Sequence, residues 1–348
     1  MQPDAIPTRR QRTMAITMLI GCCAVWGLSF PLMQIIADGL GRASGLPTPL
    51  SFHDDVAQRA LFTGWRFLAA TVLYGLCIAG RLRRIGRQEL LGGLAVGSVT
   101  SLGLVLQMTG LRYALPSLSS VLTALSVIVA PVAQSLLLRQ PVRPMVWATA
   151  AIAFTGVVVL GSGNAGASAE RTLAVAAPLP WLGEMLTLVG MLMFTVQILA
   201  LDRWGKRGSD PELLAFVMFA TCGTLSLGIG CALGDGGLWS TSALAALRAD
   251  HEWLAASATV IVLCTALAMW LMIRYQPVIS PAAACVLYCL EPVFATLASV
   301  AMRTERLTTI TVIGGGLIIA AVLGLAIRRG PGAGGRGPAG DASPTPEP

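Results

Sequence analysis

Ten apolar runs divide the chain, each near the ~20 residues that a helix needs to cross a bilayer. They fall at about 14–37, 61–80, 90–111, 117–138, 145–161, 181–201, 211–233, 253–273, 281–302 and 308–327. The fifth is short, and the 3–4 and 8–9 connections are tight. Ahead of the first run, residues 1–13 are polar and carry Arg9, Arg10 and Arg12. Paired arginines would suit an export signal, but the run behind them is too long and lacks a convincing cleavage site, so it reads as an anchor. Residues 328–348 are rich in Gly and Pro without an apolar pattern, and read as a disordered tail.

The ninth run organises the others. Ile279–Leu307 carries a carboxylate, Glu291, near its centre, followed at once by Pro292. A charge at the bilayer midplane costs about 2.5–3.5 kcal/mol on insertion scales and is rarely kept without use. Proline removes a backbone donor and bends a helix. The stretch also has an echo: at an offset of 161 residues, Pro277 falls on Pro116, Ser280 on Ser119 and Pro292 on Pro131. That points to an internal duplication, with Pro131 and Pro292 as paired helix bends. Five helices per half is an odd repeat, and an odd repeat turns over in the membrane. The predicted fold is therefore all-α and integral to the membrane, with ten transmembrane helices arranged as two inverted five-helix repeats. The halves span 14–161 and 181–327, joined by a linker at 162–180 that is rich in Gly, Ala and Ser.

Composition agrees. The 348 residues are 55% hydrophobic and 12% charged, well under the roughly 25% charged residues of soluble domains. The net charge of +7 is distributed as a topology signal. The two termini and the even-to-odd connections hold 16 Lys and Arg, the opposite connections 7, and Arg66 lies inside the second run. By the positive-inside rule both termini face the cytoplasm, so the charge suits anionic lipid and not nucleic acid. All eight cysteines lie in apolar runs and none forms a CxxC pair, which reads as small-residue packing and not as a metal site.

With the helices placed, the sequence resembles the EamA family of the drug/metabolite transporter superfamily over about residues 14–327. Ala24–Gln34 (AVWGLSFPLMQ) is similar to the family's first-helix signature, and Trp65–Thr71 (WRFLAAT) to its Arg-Phe second-helix motif. Leu106–Val132 resembles the helix 3–4 hairpin, and Leu290–Leu325 the closing stretch of the repeat. Two departures stand out. Gln140 takes the place of the glutamate that usually closes the first repeat's 4–5 turn, whereas Glu305 is kept in the second. The first connection, Asp38–Ala60, is longer than the family would imply and contains His53, Asp54 and Asp55.

Candidate site residues follow from the runs and from this resemblance. Glu291 in low dielectric is a candidate for proton coupling; the alternative is a carboxyl that only braces the Pro292 bend. Tyr288, one turn earlier on the same face, could bond that carboxyl or a solute, or simply pack. Trp26, Phe30 and Gln34 recur every four residues and suit the wall of a solute cavity, or equally helix packing with Gly27 and Ser29 on the close-contact side. Gln107, Phe194 and Trp270 are further wall candidates. Arg66 reads as a snorkelling anchor or as an anion attractor. No metal cluster, phosphate loop or hydrolytic triad is present in the sequence, and no cofactor is implied.

The resemblance implies an inner-membrane secondary transporter, not an enzyme, that exports amino acids or similar small metabolites by alternating access. Proton antiport is one mechanism; a facilitator or uptake carrier of another organic solute is the alternative. The absence of a Walker motif disfavours ATP drive. A lipid-acting membrane enzyme would need carboxylate or histidine companions that Glu291 lacks, and the duplication argues against a non-transporting scaffold. The expected partners are a small-molecule solute and membrane lipid, and the fold is compatible with a monomer.

Overall fold

The computed structural model describes residues 8–44, 51–113, 116–172, 181–234, 240–303 and 306–327. Among them every regular element is helical. The first half comprises α1 (Arg9–Ser44), α2 (Phe52–Cys77), α3 (Arg87–Tyr113), α4 (Pro116–Ala124), α5 (Ser126–Leu137) and α6 (Pro144–Thr172). The second half begins with α7 (Leu182–Lys206), α8 (Pro211–Leu233), α9 (Thr241–Ala249) and α10 (His251–Thr259). A π-helical stretch at Val260–Leu267 leads into α11 (Ala268–Tyr275), followed by α12 (Pro281–Tyr288), α13 (Glu291–Ala301) and α14 (Thr309–Ile327). Nine helical segments of the described residues are long and apolar enough to cross a membrane, and Val121–Leu137 is a shorter apolar helix.

Several boundaries differ from the sequence expectation, each for a local reason. The first connection largely disappears. α1 runs on to Ser44, and α2 starts at Phe52 because the Ser51 side chain accepts from the Asp54 backbone N–H at 3.2 Å. Asp54 and Asp55 then favour the positive end of the helix, and Asp55 pairs with Arg59 one turn on, at 3.0 Å. His53 is accordingly in a helical first turn and not in a loop. α1 also begins earlier, at Arg9, inside the segment read as a polar lead. α6 continues to Thr172, well into the stretch read as a linker, with no proline before Pro178 to stop it. The connection after α8 holds an unforeseen short helix, α9, capped by Ser240. The tail at 328–348 and Glu305 lie outside the described residues.

The surface is apolar where a soluble protein's would be polar. On α14, Ile310, Val312, Ile313, Ile319 and Leu323 are exposed, as are Val72, Leu73 and Leu76 on α2. A patch of that extent needs an apolar surrounding such as lipid tails.

Inside, α2 packs on its counterpart α8 and α6 on its counterpart α14, while α5 packs on α12, and α3 against α7 is mirrored by α1 against α11. The α6–α14 contact is backbone to backbone. A Cβ on Gly156 would lie 2.8 Å from the Gly314 carbonyl oxygen, so only glycine permits the approach. α5 and α13 both run out into an arginine in the left-handed region, Arg139 (φ 51°) and Arg303 (φ 60°), a common way to end a helix.

Candidate functional site

The site is built on the break between α12 and α13. Ser280 and Pro281 start α12; the Ser280 hydroxyl accepts from the Ala283 N–H at 3.3 Å. Gln134 of α5 reaches across from the other half, its side-chain oxygen accepting from the Ala282 N–H at 3.0 Å. α12 closes with a tightened turn, the Leu290 N–H donating to the Leu287 carbonyl at 3.0 Å. Pro292 has no N–H to carry the ladder on, and α13 starts afresh with Glu291 in its first turn. A carboxylate belongs at such a terminus, where free N–H groups give a positive end.

α1 lies against this break. The Cys22 thiol donates to the Ala268 carbonyl at 3.2 Å and the Cys23 thiol to the Leu287 carbonyl at 3.4 Å. Gly27 admits α13, for a Cβ there would be 2.5 Å from the Phe294 Cβ. Trp26, between them, faces two ways. Its indole N–H donates to the Cys264 carbonyl in the π-helical stretch at 3.0 Å, and its ring stands 5.8 Å from that of Tyr288, tilted at 56°. The Tyr288 hydroxyl donates to Gln276 at 3.0 Å, and Gln276 in turn donates to the Ile198 carbonyl of α7 at 2.8 Å. Glu291 is half-buried and makes no hydrogen bond or ion pair among the described residues. It lies within electrostatic reach of Cys22, Cys23, Tyr288 and Cys289.

The structure therefore brings Trp26, Tyr288 and Glu291 together. Phe194 and Trp270 pack around the same buried cluster as Trp26 and Tyr288, Phe194 against Gly103 of α3 and Trp270 edge-on to Tyr275 at 6.4 Å. The first-helix wall is less regular than its spacing suggested. Phe30 is exposed and joins none of the buried clusters, and the Gln34 side chain lies outside the described residues. Gln107 is half-buried and donates to the Thr123 hydroxyl at 3.3 Å, tying α3 to α4. Pro292 sits at the break itself, whereas Pro131 is buried inside α5, past the interruption at Leu125.

Three participants went unseen in the sequence. Gln276 and Gln134 are ordinary glutamines there, and only the fold buries them against backbone groups. The π-helical stretch, which packs against α1 and α2, has no sequence signature. Gln140, the departure in the 4–5 turn, does make a polar contact: the Lys206 ammonium donates to it at 3.0 Å while also pairing with Asp202.

The sequence profile of the EamA-like transporter family matches residues 56–162 and again 181–327. The chain belongs to the EamA-like transporter family. The matched residues begin in α2, so the first-helix motif lies ahead of them. No curated relative matches the sequence. A solved structure titled only "Crystal structure of protein" is similar in fold, with a TM-score of 0.64 and 17% identity, over 91% of this chain and 98% of that one. As an EamA-like protein with many apolar helices, the chain is a multi-pass membrane protein of a transporter family.

Proposed function

We propose that this EamA-like protein is a secondary transporter that moves amino acids or similar small metabolites out of a bacterial cell across the inner membrane. Its two five-helix halves are inverted, with both termini in the cytoplasm, and they rock around the Trp26–Tyr288–Glu291 group to alternate access. The packing of α2 on α8 and of α6 on α14 supports a two-fold relation, and the odd number of helices per half supports inversion.

The observation that carries the reading is Glu291, a carboxyl in a helix break that no group among the described residues satisfies, beside two aromatic rings. Intramembrane carboxyls of this kind exchange protons or hold solute. Trp26 and Tyr288, with Phe194 and Trp270 around them, suit the apolar body of an organic solute. In proton antiport, protonation of Glu291 from outside would accompany outward passage of the solute.

The test is efflux from cells loaded with a mixture of amino acids, peptides and cationic drugs, comparing wild type with Glu291→Gln across external pH. Selective, pH-dependent efflux that disappears in the variant is the expected result. Efflux indifferent to both changes leaves a facilitator with a structural Glu291. No efflux of any member by well-folded protein ends the exporter reading.

A further inference from the structure

Of the chain's 24 Lys and Arg, Arg66 alone stands inside an apolar run. In the fold it stands deeper still. α2 begins fourteen residues before it and ends eleven residues after it, about 21 Å and 16 Å of helix. A snorkelling arginine carries its guanidinium to the interface; this one is 6% exposed. Its satisfaction is poor. One Nη donates to the Met33 sulfur at 3.6 Å, the guanidinium lies 5.1 Å from the Phe67 ring centre, and Nε is buried without a partner. Among the described residues no carboxylate pairs with it. A guanidinium keeps its charge in proteins, and an unpaired charge in low dielectric is strongly unfavourable.

Its surroundings share the same deficit. Gln58, Phe62 and Arg66 recur every four residues along one face of α2. Phe62 packs with Ile36 of α1 and with Val260 and Cys264 of the π-helical stretch, and Met33, Trp26 and Trp253 close around that group. Gln58 is 7% exposed with its amide nitrogen unpaired, and the Trp253 indole N–H is likewise buried and unpaired. The seam between α1, α2 and the α10–π segment thus holds three buried N–H groups, Arg66 Nε, Gln58 Nε2 and Trp253 Nε1, with no acceptor among the described residues. Native interiors seldom leave several buried donors unmet.

We infer that Arg66 is the carboxylate-recognising residue of the transported solute. Its forked donors take the two carboxylate oxygens, Gln58 and Trp253 supply further donors toward the α1–α2 end, and Met33, Phe62 and Trp26 line the apolar body. Trp26 makes this seam continuous with the Tyr288–Glu291 group, because the carbonyl it bonds belongs to Cys264. The solute class is a small organic carboxylate with an apolar moiety. That the carboxylate is cargo rests on the transporter reading above; that Arg66 binds it does not.

The test uses purified full-length protein in detergent at matched ionic strength, with thermal unfolding read against L-phenylalanine, sodium benzoate, phenethylamine and sodium chloride. L-phenylalanine and phenethylamine differ only in the carboxylate. Expected is a rise in unfolding midpoint with the two carboxylates alone. Arg66→Gln weakens L-phenylalanine on the order of a hundredfold, and Arg66→Lys about tenfold, because the charge stays and the fork is lost. Stabilisation by chloride alone, no stabilisation by either carboxylate, or equal stabilisation of the Gln variant overturns the assignment. If Arg66→Gln does not fold, Arg66→Lys and Gln58→Leu decide, and wild-type binding in both overturns it. Arg66-dependent binding without flux in proteoliposomes would defeat the transporter reading and leave the assignment standing.

Discussion

The two discontinuous helices of this protein share a proline and differ at the residue before it. In the second half the pair is Glu291–Pro292; at the same 161-residue offset the first half has Ala130–Pro131. Ala130 is completely buried and packs in the core cluster that also holds Cys289 and Leu290. Glu291 is half-buried, has no hydrogen-bond or ion-pair partner among the described residues, and lies within electrostatic reach of Tyr288, whose ring stands near that of Trp26. The proline stands on both sides, at the break in the second half and inside α5 in the first, whereas the carboxyl stands on one side only. A feature repeated in both halves belongs to the fold, and a feature confined to one is where function has room to act.

The largest effect comes from moving the carboxyl to the other half. Ala130→Glu would bury an unpaired carboxyl in a packed cluster and cost about 3–5 kcal/mol. Unfolding of the purified variant should reveal this as a large loss, or as failure to fold. Glu291→Gln should unfold near wild type, since the amide nearly matches the carboxyl in size and no ion pair among the described residues is lost. Equal tolerance of both changes would erase the distinction between the two helices.

A smaller effect tests the Glu291 side through its neighbour. Gly27→Val must push α1 from α13, because even its Cβ would fall 2.5 Å from Phe294 Cβ and 2.7 Å from the backbone beyond it. Overpacking of this kind costs about 1–3 kcal/mol. Efflux should fall further than stability does, since the displaced turn adjoins Glu291. A variant that loses stability alone would detach α1 from the transport path.

The smallest effect separates Glu291 from acids outside the membrane. The Trp253 backbone N–H, followed by the Arg42 guanidinium at 2.8 Å, holds the Asp250 carboxyl below the usual carboxylate range. A depressed carboxyl contributes stability above its unfolded pKa of about 3.9 and loses it as pH falls through the lower folded value. Asp250→Asn should therefore leave the efflux profile unchanged between about pH 5 and 8. A shifted profile in that window would assign the pH response to the Arg42–Asp250 contact instead of to Glu291.

The sequence by itself determined the class of the molecule. Apolar runs of membrane length, the distribution of Arg and Lys, and the motifs of each half were sufficient for family membership, because the bilayer demands long uninterrupted apolarity and leaves it visible in the letters. Glu291, Pro292, Trp26 and Tyr288 were legible for the same reason: a carboxylate, a proline or large aromatics stand out in such runs. Tertiary structure alone decided which of these meet. Phe30 shares the spacing of Trp26 yet lies exposed, since spacing fixes a helix face and not what that face packs against. Gln276 and Gln134 became structural ties only when burial left backbone and side-chain groups for them to satisfy. Arg66 was visible as an oddity, but its depth and its missing partner depend on where α2 starts and on how α1 and the π-helical stretch close around it. The Met33 contact spans 33 residues and the Trp26–Cys264 contact that ties α1 to the π-helical stretch spans 238, and no local pattern in the chain records either.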